Sequence, residues 1–97
     1  LLLLRMQLQR ERTTLLTTIS AAEARVESLS GVILPRAEEA LELAQIGYRY
    51  GRFTLIDVLD AASVRDAALA DLISARTDLA QATATLMRLT QRQGGES

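Results

Sequence analysis

Tyr48-Arg49-Tyr50-Gly51-Arg52-Phe53-Thr54-Leu55-Ile56-Asp57-Val58-Leu59-Asp60 is the stretch on which the fold turns. It gathers all the aromatic residues of the chain (Tyr48, Tyr50 and Phe53) together with a glycine and two carboxylates. Gly51 is suited to the left-handed conformation that closes a helix, which residues with a Cβ adopt only at a cost. Thr54 stands where a new helix needs an N-cap, and Asp57 occupies the N3 position of a Thr-x-x-Asp capping box. A stop signal and a start signal this close force two helices to fold back on each other. The expected fold is all-α, a long antiparallel helical hairpin with its tip at Tyr50–Phe53. Its first helix is expected over residues 5–50, the turn over 51–53, the second helix over 54–92 and a flexible tail over 93–97.

Working back from the tip, apolar residues of the first helix recur at steps of four and three: Leu15, Ile19, Ala22, Val26, Leu29 and Ile33. This is a heptad-like seam, with Arg12, Glu23, Arg25 and Glu27 on other faces. Thr13, Thr14, Thr17 and Thr18 are weak helix formers and predict a less stable beginning. Ser30-Gly31 and Pro35 interrupt the pattern, because proline removes a donor and clashes with the carbonyl four residues back. Either the helix kinks at Gly31–Pro35, or it ends near Ser30 and restarts with Pro35 in its first turn. Val32-Ile33-Leu34 leaves no room for a polar loop, which favours a continuous, kinked helix. Beyond the proline, Ala37, Ala40, Leu41, Ala44 and Tyr48 share a face, and Ala40, Ala44 and Gly47 make a small-residue line for a closely approaching helix. On the second helix the expected stripe is Leu55, Leu59, Ala62, Leu69, Leu72, Leu79 and Leu86, with Arg65, Arg76 and Thr83 falling into it.

The composition agrees with long helices. There are 18 Leu and 15 Ala among 97 residues, but one Pro, one Phe and no Trp. A compact core leans on aromatic area; here the apolar surface is spread along a thin seam that two helices alone bury poorly. A formal net charge of −1, from 11 arginines and 12 acids distributed along the chain, argues against nucleic acid or an anionic membrane surface as partner. With no Cys and no His, thiolate and imidazole metal sites are excluded. Met6 and Met87 are expected to be core fillers and not copper ligands. No apolar run of about 20 residues is present, so no bilayer-spanning helix is expected. The chain reads as a portion of something longer.

Tyr48-x-x-Gly51 followed by Asp57-Val58-Leu59-Asp60-Ala61 and an Ala- and Leu-rich helix ending in Leu86-x-x-Leu89 resembles the outer-membrane efflux protein family of the TolC type. In particular it resembles the last periplasmic hairpin of the heavy-metal efflux branch, over roughly residues 34–90. The resemblance implies a homotrimer with an outer-membrane β-barrel and a periplasmic helical tunnel. It further implies a periplasmic adaptor and an inner-membrane pump as partners. By position, Asp57 and Asp60 would line the channel constriction as rings of carboxylates, Tyr48 would hold the closed state and Gly51 would form the turn. Phe53 stands where some members carry a basic residue used in a closing hydrogen bond, and Arg52 stands one place earlier, so that link either differs or is absent here.

The same residues also suit plainer roles. Asp57 caps a helix whatever else it does, Asp60 suits a solvated surface, and Tyr48 and Phe53 suit packing under the tip. Two carboxylates without a pocket or a His or Cys partner do not make an acid–base pair, so no enzyme, no cofactor and no catalytic residue is expected. The alternative function is a structural coiled-coil interaction module, such as a periplasmic adaptor hairpin.

Overall fold

Near Pro35 the first arm does not break. It runs as α1 (Leu2–Ser28), a π-helical turn (Leu29–Ile33) and α2 (Leu34–Arg49), and returns through the tip as α3 (Leu55–Gly95). Right-handed helical angles continue through the junctions, with φ/ψ of −68°/−45° at Leu29 and −65°/−48° at Leu34. The computed structural model describes residues 1–95. Helix α3 continues to Gly95, past the expected end at residue 92, and Glu96 and Ser97 of the expected tail lie outside the described residues. No strand occurs among the described residues.

The irregularity at Gly31–Pro35 takes a specific form. The N–H of Leu34 donates to the carbonyl of Leu29, five residues back, so the turn holds one residue more than an α-turn. Pro35, in the first turn of α2, has no N–H to lose there, and the wider turn relieves the crowding its ring would cause. The extra residue also rephases the seam. Leu15, Ile19, Ala22 and Val26 are half-buried and Leu29 is buried, but Ile33 faces outward. The seam resumes five residues after Leu29, at Leu34, and continues through Ala37, Leu41, Ala44 and Gly47. Ala40 and Tyr48, expected on this face, are exposed.

Helix α3 packs in turn against α1, the π turn and α2. Its inward stripe is Val58, Ala61, Arg65, Ala68, Leu72, Ala75, Leu79, Ala82, Leu86 and Leu89, with steps of three and four throughout. Leu72, Leu79, Leu86 and Arg65 were expected there, as was Ala62, which is half-buried beside it. Leu55, Leu59 and Leu69 were too, but they lie exposed beside the stripe, as do Arg76 and Thr83. Alanine displaces leucine because two helices that touch along their whole length leave little space between them. Leu72 and Ala75, only 3% and 1% exposed, join Leu29 in the tightest cluster, with Val26 and Leu34 against it. An exposed ion pair, Arg25–Asp78 at 3.7 Å, links the arms and contributes at most about 1 kcal/mol.

The result is a rod of 72 × 19 × 17 Å. Its radius of gyration is 21.1 Å, against about 12–13 Å for a compact domain of this length. It exposes 7534 Å², roughly 2,000 Å² more than a compact monomer of its mass would. A hairpin with this much uncovered surface gains from association. The melting midpoint of the isolated chain is therefore expected to rise with protein concentration. A constant midpoint, together with a monomer mass by sedimentation, would contradict this.

Candidate functional site at the hairpin tip

The tip is built from two interlocking local devices. Gly51 has φ +73°, the one positive φ among the described residues. Around it the Arg52 N–H donates to the Gly47 carbonyl at 2.7 Å, and the Gly51 N–H donates to the Tyr48 carbonyl at 3.1 Å. These bonds satisfy the last carbonyls of α2 in the Schellman pattern. The Phe53 N–H adds a second bond to the Gly47 carbonyl at 3.2 Å. Directly afterwards Thr54 and Asp57 cap α3 reciprocally. The Thr54 N–H donates to Asp57 Oδ2 at 2.8 Å, and the Asp57 N–H donates to Thr54 Oγ1 at 3.2 Å. The chain reverses within Tyr50–Thr54, where the Gly47 and Tyr48 carbonyls of one helix end and the Asp57 N–H of the next find partners locally.

One packing contact at the tip was not anticipated. The Phe53 ring lies over Gly47: a Cβ built on Gly47 would stand 2.6 Å from Phe53 Cε2 and closer still to Cδ2. Gly47 was expected to admit a neighbouring helix; its missing side chain instead seats an aromatic ring of the turn. Spacing alone did not reveal this, because the ring comes from across the reversal.

The other candidate residues are on the surface. Tyr48 is 47% exposed and Phe53 48% exposed, and Asp57 and Asp60 are exposed on neighbouring turns of α3. Asp57 is engaged as the cap, whereas Asp60 has no ion pair among the described residues. Tyr50, Leu55, Ile56 and Leu59 are also exposed. The tip is therefore an apolar knob carrying two carboxylates on one flank and Arg49 and Arg52 at its turn. No group of three or more His, Cys, Asp or Glu suited to a metal ion occurs among the described residues. Among the described residues no helix is long and apolar enough to cross a membrane.

Comparison with known proteins touches part of the chain. No family model and no solved structure matches it. The cobalt-zinc-cadmium resistance protein CzcC of Cupriavidus metallidurans is 42% identical to it over 43 residues. That match covers 44% of this chain and 10% of the relative, so the chain is similar, over less than half its length, to a small portion of a heavy-metal resistance protein.

Proposed function

We infer that the chain is the periplasmic tunnel hairpin of an outer-membrane efflux channel, part of a tripartite export system for heavy metals. The observation that carries this is the tip sequence, Tyr48-x-x-Gly51 with Asp57-Val58-Leu59-Asp60-Ala61, set at the end of a two-helix rod 72 Å long. Partial similarity to a resistance protein supports it, whereas rod shape and caps alone would fit any antiparallel coiled coil. The exposed stripe of Leu55, Leu59, Leu69 and Ile73 is what a wall-forming hairpin needs for lateral neighbours. In a full-length homotrimer the tips converge on one aperture and meet the periplasmic adaptor, which joins the inner-membrane pump. Asp57 and Asp60 then supply rings of carboxylates there, and Tyr48 and Phe53 shape the closed tip. Asp57 serves as cap and ring member at once, since its side chain is both bonded to Thr54 and exposed.

Crowded carboxylates attract polyvalent cations. Single-channel conductance of the full-length protein should therefore be blocked by a trivalent cation. Replacing Asp57 and Asp60 together by Asn should raise the blocking concentration about tenfold or more, in line with removal of a charged ring. Identical blocking curves would remove both residues from the aperture and leave Asp57 as a cap alone.

A further inference from the structure

We propose that the open end of the hairpin, opposite the tip, holds a binding cleft for an anionic amphiphile, a molecule with a carboxylate or phosphate head and an apolar body. Along the sequence the two signs of charge alternate, but folding the chain in half sets Arg10 and Glu11 beside Arg88 and Arg92. With Arg5 and Arg12 in the first half of α1, this end of the rod carries five arginines against Glu11 among the described residues. Residues 23–78 carry ten carboxylates and six arginines. The rod is thus basic at its open end and acidic over the rest, a segregation that the linear order conceals.

At the basic end a cleft of about 590 Å³ lies along α1 and α3, within the range of small-ligand sites. Arg10, Arg88 and Arg92 border it, half-buried Leu15 and Leu89 form its floor, and Glu11 contributes its one carboxylate. A shallower groove sharing Arg10 and Thr14 continues over α1 toward Met6. None of the three arginines is ion-paired among the described residues. Arg88 Nη2 donates to Thr85 Oγ1 at 3.3 Å, which leaves the other N–H groups of that guanidinium for a ligand. Guanidinium forks match carboxylate and phosphate oxygens in pairs. The leucine floor adds a preference that a bare inorganic anion cannot satisfy. The cleft is argued from this end of the chain alone and does not depend on the efflux assignment.

The test titrates the 97-residue chain with decanoate below its micellar concentration, followed by amide chemical shifts. Saturable binding is expected, with shifts confined to residues 10–15 and 85–92. Arg88→Gln with Arg92→Gln should weaken it about tenfold or more, at unchanged helicity by circular dichroism. Met87→Gln, at an exposed position outside the cleft, should leave it intact. Co-sedimentation with phosphatidylglycerol vesicles, sensitive to the same double substitution but without a response to monomeric decanoate, would assign the arginines to a headgroup held in a bilayer. Three results would overturn the proposal: equal binding of decyltrimethylammonium, undiminished binding by the double variant, or sulfate alone binding as tightly as decanoate. Absence of binding in both the decanoate and the vesicle arms would overturn it equally.

Discussion

Gly47→Val is expected to lower the melting midpoint by at least roughly 4 °C, the shift that corresponds to about 1 kcal/mol in a domain of this size. The new Cβ would collide with the Cδ2–Cε2 edge of the Phe53 ring, so the ring must leave Gly47 and the Phe53 N–H bond to the Gly47 carbonyl is disturbed with it. Overpacking of this kind costs about 1–3 kcal/mol, and valine lacks the helix propensity that would offset it. Two comparisons isolate the cause. Gly31→Ala meets no atom within 4 Å and has no positive φ, so it should stabilise by up to about 1 kcal/mol, the ordinary helix preference for alanine. In a Phe53→Ala background, Gly47→Val should lose most of its penalty, giving a coupling energy that a double-mutant cycle reads directly. All variants must be compared at one protein concentration. If Gly47→Val is equally harmful with and without the ring, Phe53 is not what the glycine accommodates.

Leu72→Ala should be the most damaging truncation in α3. Leu72 is 3% exposed and sits against Leu29 and Ala75 at the centre of the tightest cluster. Burial of a leucine at such a site is worth about 2–5 kcal/mol against alanine, and a seam this thin places the cost near the lower end. Leu69→Ala, one turn earlier on the exposed flank at 41% exposure, should cost no more than about 0.5 kcal/mol, as surface changes do. Urea denaturation of the two variants decides the matter. Equal midpoints would return Leu69 to the inter-helix seam, where periodicity alone puts it.

That last comparison marks the boundary of what the sequence makes legible. The reversal at Tyr50–Phe53 could be read because its signals are local. Gly51, Thr54 and Asp57 each act within a few residues, so no knowledge of the partner helix is needed. The side of α3 that faces inward could not be read the same way. Leucine is the more hydrophobic residue, and a stripe drawn through Leu55, Leu59 and Leu69 is a sound apolar stripe. In a two-helix contact, however, separation between axes decides, and alanines at Ala68, Ala75 and Ala82 let the arms come closer than leucines would. The shift from Ile33 to Leu34 was hidden for another reason. Periodicity assumes a constant number of residues per turn, and the π turn breaks that assumption at one place. The basic open end was likewise invisible as a run of charge, since its two halves stand at opposite ends of the sequence. The carboxylates at Asp57 and Asp60 were easy to single out, but among the described residues only the capping contact of Asp57 gives either of them a partner.

The π turn also shapes how the rod answers a twist. Its return arm, α3, is one unbroken helix of 41 residues and resists torsion evenly. The opposite arm has its widened turn at Leu29–Ile33, and the 16 residues of α2 beyond it reach about 25 Å at the usual helical rise. The widened turn is where that arm changes phase, and Leu29, packed on Leu72 and Ala75, ties the change to the return arm. With Ala37, Ala44 and Gly47 buried beyond it, α2 is held along α3 as well, so a twist at the tip meets both arms together.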